Sequence, residues 1–322
     1  MARVLSGIQP SGKLHLGNYF GAIKQHIEMQ KENDCFYFIA NYHALTSVQE
    51  RELIKSYTLD VALDYLALGL DPEKTTFYCQ SDLPEVCELT WLLSVVTPMG
   101  LLERAHSYKD KISKGISPSH GLFSYPVLMA ADILIVDSNI VPVGKDQKQH
   151  LEMTRDIAIK FNQTFGETFV IPEAKIEEET AVVPGIDGQK MSKSYNNTIE
   201  IFCEEEDLKR KVMSIVTDSA PVDAIKDPDK NNVFNLLKLF IEKEEREDWI
   251  LKFKKGGLKY SDLKKRLIEV INLKFKDARE KRKEFESQPQ KVLKILKEGS
   301  ERARVFAKKT LMRARESCGL NI

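Results

Sequence analysis

The sequence predicts an α/β fold: a parallel sheet covered by helices in the first half, followed by a helical second half. Three observations carry this expectation. Strand-like and helix-like segments alternate up to about residue 186, the pattern of successive β-α-β units. From Asp207 onward nearly every segment has helical periodicity and is rich in Lys and Glu. Charge changes sign at the same place. Residues 1–186 hold 16 Lys+Arg against 24 Asp+Glu and residues 187–322 hold 32 against 24, so −8 gives way to +8 in a chain of net charge zero. The expected domains are therefore 1–186 and 187–322, with the last helix able to fold back on the first.

Taken in order, Arg3–Ile8 is a short apolar strand stopped by the turn residues Gln9-Pro-Ser-Gly12. A helix follows from Gly17 to about Gln30. Cys35–Ala40 is aromatic and β-branched, hence a strand. Glu50–Leu70 is helical, with Leu53, Tyr57, Val61, Asp64 and Leu68 near one face and Gly69 and Asp71-Pro72 as its stop. On that face Asp64 is expected to be a polar edge. Thr75–Cys79 predicts a strand and Glu85–Val96 a helix. Ile133–Val136 and Ile140–Val143 predict two strands around Asp137-Ser-Asn139, and Leu151–Thr164 a helix. Lys190–Asn197 is a polar loop. Breaks in the helical half fall at Asp227-Pro228, Gly256-Gly257 and Gln288-Pro289.

The composition, 42% hydrophobic and 30% charged with 16 Gly and 12 Pro over 322 residues, is that of a globular chain and excludes collagen-like and wholly disordered classes. The five scattered cysteines have no C-x-x-C spacing, which argues against a zinc or iron–sulfur site and against a disulfide framework. No leader-like or membrane-spanning apolar run is present, so a cytoplasmic location is expected. Trp91 and Trp249 are expected to pack. The basic second half suggests an anionic partner, with Lys281, Arg282, Lys283, Arg302, Arg304, Lys308 and Lys309 as candidate contacts.

Three segments carry chemistry. Gly7-Ile-Gln-Pro-Ser-Gly12-Lys13 has the spacing of a phosphate-binding loop, but Leu14 cannot ligate magnesium and Pro10 lacks an N–H for a phosphate nest. The same residues, Pro10-Ser-Gly-Lys-Leu-His15-Leu-Gly17-Asn18, place His15 and Asn18 at the start of a helix. There Gly17 admits a nucleotide close to the backbone and the helix N-terminus attracts phosphate. Lys190-Met-Ser-Lys193-Ser194 concentrates two ammonium groups and two hydroxyls, suited to the charge that grows on a departing pyrophosphate. A third segment, Ser124–Leu134, puts Tyr125, Met129 and Asp132 on one helical face, where a carboxylate can accept from an indole N–H.

The first two segments resemble the HIGH and KMSKS signatures of class I aminoacyl-tRNA synthetases. Leu128-Met-Ala-Ala-Asp132-Ile-Leu, Gly144-Lys-Asp-Gln147-Lys-Gln-His150 and His43-Ala-Leu-Thr46 resemble the corresponding runs of the bacterial-type tryptophanyl-tRNA synthetase family. The related tyrosyl enzymes carry Gln where Met129 stands. Leu5 departs from relatives with an aromatic there, and the loop before Lys190 is shorter than in some.

The resemblance covers nearly the whole chain. It implies a Rossmann-like catalytic domain over 1–186. It further implies that 187–322 carries the KMSKS loop and an α-helical anticodon-binding domain, and that the enzyme is a homodimer using ATP, L-tryptophan and a cognate tRNA. Magnesium would arrive with ATP, with no metal site of the protein's own. Gln9, Pro10, Ser11, His15, Gly17, Asn18, Gly144, Lys145, Asp146, Val182 and Lys190, Met191, Ser192, Lys193 and Ser194 would meet ATP. Lys109 and Lys111 would join Lys190 and Lys193 as the catalytic cations. Asp132 would accept from the indole, Tyr125 and Gln147 would hold the amino end, Met129, Val141 and Val143 would pack the ring, and His43 would lie close by. The rival readings are a tyrosyl-tRNA synthetase, a small-metabolite adenylyltransferase and a non-catalytic tRNA-binding paralogue.

Overall fold

The computed structural model of the chain describes residues 1–105, 108, 109, 112, 118–144, 147–176 and 182–321. Five parallel strands, β1 (Arg3–Ile8), β2 (Asp34–Ile39), β3 (Thr75–Cys79), β4 (Ile140–Val143) and β5 (Glu173–Ile176), form one sheet in the order β3-β2-β1-β4-β5. This is the strand order of a Rossmann-like doubly wound sheet, whose direction of winding reverses between β1 and β4.

Alternation along the strands builds two cores. Val4, Cys35, Tyr37, Ile39, Phe77 and Cys79 face one side; Leu5, Phe36, Phe38, Tyr78 and Val141 face the other. The first side is covered by a helix that opens at Leu16–Asn18, passes through a π segment at Tyr19–Ile23 and ends as Lys24–Met29, and by Arg51–Leu68. Its core continues through Met191 and Ile199 into Phe234, Phe253 and Leu267 of the helical half. The second side is covered by Glu85–Val96, His120–Leu134 and Lys148–Phe165.

Most expected elements fall where the pattern put them, and Thr75–Cys79 and Glu85–Val96 match at both ends. Two differ. Ile133–Val136 is not a strand: Ile133 and Leu134 end the helix His120–Leu134, and Ile135 and Val136 form a turn. A short apolar run buried on all sides has no period to separate helix from strand. β5 went unforeseen because Glu-Ala-Lys-Ile offers no apolar run. The breaks at Asp227-Pro228, Gly256-Gly257 and Gln288-Pro289 all separate helices, and Gly256 and Gly257 both take positive φ.

Asp64 is not a polar edge but is 4% exposed, and its Oδ1 accepts from Arg282 Nε at 2.6 Å; Arg282 Nη2 also reaches Asp60 at 2.9 Å. Arg302 donates to the carbonyls of Pro72 and Thr75, and Arg304 to Glu85. Each of these three cations of the second half therefore donates to the first half. Trp91 is 70% exposed and does not pack within the chain, whereas Trp249 is buried.

The terminal helix Pro289–Ser317 crosses the open edge of the sheet. Its Val292 and Leu296 belong to the first core, and its Ala303, Ala307, Leu311 and Ala314 to the second. The crossing is at Gly299, where a Cβ would lie 1.8 Å from the Phe77 carbonyl oxygen and 3.1 Å from its nitrogen. The helix backbone thus seals the outward-facing backbone of the edge strand, while Arg302 satisfies the Thr75 carbonyl at 3.1 Å. Gly299→Ala is expected to lower stability by about 3 kcal/mol, the upper end of the cost of overpacking, because the obstacle is backbone. Gly21→Ala, which meets nothing within 4 Å, serves as the control. Equal melting temperatures for the two variants would contradict this close approach.

Candidate active site

One cavity of about 1000 Å³ opens at the carboxyl ends of β1 and β4, where the winding of the sheet reverses. Ligands of open α/β sheets bind at this place. β1 contributes Leu5–Ile8 and the following Gln9; β4 contributes Val141–Val143, followed by Gly144.

At one end lie the two signature segments. The backbone N–H of His15 donates to Asn18 Oδ1 at 3.1 Å, which fixes the first turn of the helix. His15 is 6% exposed, and burial, followed by the Lys193 ammonium, pushes its imidazole down to about 4, so the ring is neutral near pH 7. At Gly17 a Cβ would stand 2.9 Å from the His15 ring and in ordinary contact, at 3.5 Å, with Met191 Cβ, so a side chain there would displace the His15 ring.

The second segment is bound to the first by backbone pairing. Leu16 N–H donates to the Ile199 carbonyl at 2.9 Å and Ile201 N–H to the Leu14 carbonyl at 3.1 Å. Asn197 organises the loop: its Oδ1 accepts from Ser192 N–H at 2.8 Å and its Nδ2 donates to Asp187 and to the Lys190 carbonyl. Met191 is buried as the anchor, and Lys190, Met191 and Ser192 line the cavity. Lys193 stands at the edge of this end, against the first segment rather than in the lining. Its Nζ donates to the Gly12 carbonyl at 2.8 Å and lies 3.5 Å from Ser11 Oγ, and burial lowers its ammonium to about 8.

At the other end Asp132, 3% exposed, sits on the helix His120–Leu134. His43 Nε2 lies 2.8 Å from its Oδ2. Gln80 Nε2 donates to both oxygens, at 2.8 and 2.9 Å. Tyr125, one turn before Met129, hydrogen-bonds His150 of the helix Lys148–Phe165. Leu5, Phe38, Met129, Ile133, Val141 and Val143 supply the apolar walls around the carboxylate.

The cavity therefore gathers Gln9, His15, Gly17, Asn18, His43, Tyr125, Met129, Asp132, Val141, Val143, Gly144, Gln147, Val182, Lys190, Met191 and Ser192 from the expected set. Pro10, Ser11, Lys193 and Ser194 stand beside it rather than in its lining. Lys109 is exposed and lies outside the lining. Lys111, Lys145 and Asp146 lie outside the described residues. Sequence reasoning missed Gln80, a lone glutamine one residue past a strand. It quoted His150 in a run without giving it a part.

Comparison with known proteins agrees with this geometry. The sequence matches the family of tRNA synthetases class I (W and Y) over residues 1–276. It is 56% identical over 321 residues to the tryptophan–tRNA ligase of Fusobacterium nucleatum, covering 99% of this chain and 98% of that one. It is 54% identical over 318 residues to that of Campylobacter jejuni, covering 99% and 100%. A crystal structure of the Campylobacter jejuni tryptophanyl-tRNA synthetase complexed with ADP and tryptophan superposes with a TM-score of 0.92 at 53% identity, covering 99% of this chain and 100% of that one. By cavity, signatures and similarity alike, the chain belongs to the family of tRNA synthetases class I (W and Y).

Proposed function

We propose that this enzyme is a tryptophan–tRNA ligase. It activates L-tryptophan with ATP to tryptophanyl-adenylate and pyrophosphate, then transfers tryptophan to the 3′ end of its cognate tRNA. The observation that carries the reading is a single cavity with both signature segments at one end and a buried, hydrogen-bonded carboxylate between apolar walls at the other. The tyrosyl alternative is not favoured, since Met129 stands beside Asp132 in that cavity.

In the first step the tryptophan carboxylate attacks the α-phosphorus and pyrophosphate leaves. The substrate brings its own nucleophile, so the protein's part is placement and charge. Asp132 accepts the indole N–H. Met129, Val141 and Val143 hold the ring, Tyr125 and Gln147 the amino end, and His43 supports Asp132. Gln9, Gly17, Asn18 and Gly144 border the nucleotide, with Pro10, Ser11, Lys145, Asp146 and Val182 assigned beside them by resemblance. Neutral His15 and the loop from Lys190 to Ser194 face the phosphates, and Lys111 is assigned there by resemblance alone. Magnesium comes as part of the MgATP substrate. Among the described residues Asp132 is the only carboxylate lining the cavity, and it is held by His43 and Gln80.

Residues 187–322 receive the anticodon, supported by their surplus of positive charge, and the last helix belongs structurally with 1–186. Among the described residues no helix is long and apolar enough to cross a membrane. The substrates, ATP and tRNA, suit the cytoplasm. A homodimer through the first half is supported by the exposed apolar side chains of Trp91, Val95 and Met99. Trp91→Asp is expected to turn a sedimenting dimer into a monomer at micromolar concentration, and a monomeric parent protein would refute the assignment. The function itself is tested by pyrophosphate exchange with all twenty amino acids, followed by charging of total tRNA. Exchange driven by tyrosine, or none at all, would overturn it.

A further inference from the structure

We propose that Gln80 is the positioning residue of amino-acid selection: its amide aims the Asp132 carboxylate at the substrate and ties it to the backbone of the segment that carries His43. This inference rests on the reading of Asp132 as the acceptor for the indole.

The side chain is 1% exposed, yet every polar atom on it is used. Its Oε1 accepts from the backbone N–H of Tyr42 at 3.0 Å and of His43 at 3.3 Å. Those two partners are donors only, so the carbonyl end of the amide must face them. The amino end is then forced toward Asp132, where it reaches both carboxylate oxygens. A reversed amide would set N–H against N–H and carbonyl against carboxylate, so the orientation follows from the partners alone.

The placement is reinforced from both sides. Gln80 starts the turn Gln80–Asp82 at the end of β3. Next to it, Ser81 N–H donates to Asn41 Oδ1 at 3.0 Å while Asn41 Nδ2 donates to Ser81 Oγ at 2.8 Å, locking the turn to the helix Asn41–Ala44. Asp82 accepts from Ser300 Oγ of the terminal helix at 2.8 Å. A buried carboxylate with His43 alone on one oxygen could swing about its Cβ–Cγ bond. With one fixed amide nitrogen shared between both of its oxygens it has one orientation, and lone pairs remain for a donor from the cavity. Burial raises the Asp132 carboxyl above its ordinary range, and His43 and Gln80 both oppose that shift. The other titratable groups against it are His43 and, one residue before Cys79 on β3, Tyr78.

The test uses Gln80→Leu and the isosteric Gln80→Glu, each compared with Asp132→Ala, in pyrophosphate exchange. Gln80→Leu is expected to lower the tryptophan-over-phenylalanine ratio of kcat/KM about 10- to 100-fold, the effect of losing a hydrogen bond to a charged group. The loss should fall on KM for tryptophan, with KM for ATP unchanged. Tryptophan kcat/KM should gain an acid limb absent from the parent enzyme, because Asp132 then protonates more readily. Gln80→Glu sets a second carboxyl against Asp132, so the pair retains a proton and the limb moves further toward neutral pH. If either folded variant keeps the parent ratio and the parent pH profile, Gln80 is a packing residue and the inference fails. If Asp132→Ala also keeps the parent ratio, the failure lies in the reading of Asp132 instead.

Discussion

Asp132→Ala is expected to erase most of the preference for tryptophan over phenylalanine. Both rings suit the walls formed by Leu5, Phe38, Met129, Val141 and Val143, so apolar contact separates them weakly. The carboxylate separates them strongly. It is 3% exposed, and phenylalanine would cover it without supplying a donor. Sites built to hydrogen-bond a substrate group reject analogues lacking it by about 10⁴–10⁵. Removing the acceptor should slow tryptophan activation while hardly changing the already poor reaction of phenylalanine. Tyrosine is a different competitor, since its hydroxyl could donate to Asp132; its exclusion rests on the shape set by Met129 and the valines. The measurement is kcat/KM for the three amino acids with parent and variant. An unchanged ratio of tryptophan to phenylalanine would place the indole elsewhere in the cavity.

Lys193→Ala is expected to slow adenylate formation by about 10²–10³, the effect of removing one donor to charge that develops in the transition state. Affinity for tryptophan should hold, because Lys193 lies at the far end of the cavity, bonded to the Gly12 carbonyl. The same side chain sets a pH limit. Burial lowers its ammonium to about 8, opposed by Asp64 and Glu200, while neutral His15 faces it from the helix start. The charge is present below that pH and is lost as pH rises through it. The kcat/KM for ATP, which reports the free enzyme, should therefore decline above about pH 8. Bound phosphates favour the charged form, so the decline in kcat should come at higher pH. Lys193→Arg keeps its charge throughout and should remove the decline. Single-turnover kinetics from about pH 6.5 to about pH 9.5, on both sides of the Lys193 ammonium at about 8, decide the matter. A rate insensitive to Lys193→Ala would take this lysine out of the reaction.

The strands Arg3–Ile8 and Thr75–Cys79 were legible as short apolar or β-branched and aromatic runs, and Glu85–Val96 as a longer helical one. The two signature segments were legible because their chemistry is local: charge, glycine and histidine packed into a few residues. What stayed hidden depends on partners distant in the chain. Asp64 looked like a surface residue because nothing near it in sequence announces Arg282, 218 residues away. Arg302 and Arg304 counted as free positive charge until the terminal helix set them against Pro72, Thr75 and Glu85. Gln80 had no motif around it. Its importance comes from two backbone N–H groups and one carboxylate that only the folded sheet brings within reach.

The crossing of the sheet edge by Pro289–Ser317 also has a meaning in time. Ser300 and Asp82, which meet in the folded enzyme, are separated by 218 residues. At about 5–20 residues per second of translation, β3 leaves the ribosome roughly 10–40 s before the helix that closes it. Through that interval the outward backbone of Phe77 and Thr75 is an open template for any strand nearby, and the second core lacks the cover that Ala303, Ala307, Leu311 and Ala314 will supply. The nascent chain is at its most vulnerable late rather than early, when the sheet is complete and the last 34 residues are still to come. A ribosome stalled before Gly299 would release a chain with its parallel sheet made and one edge unsealed, a natural substrate for chaperones and proteases rather than a slow enzyme.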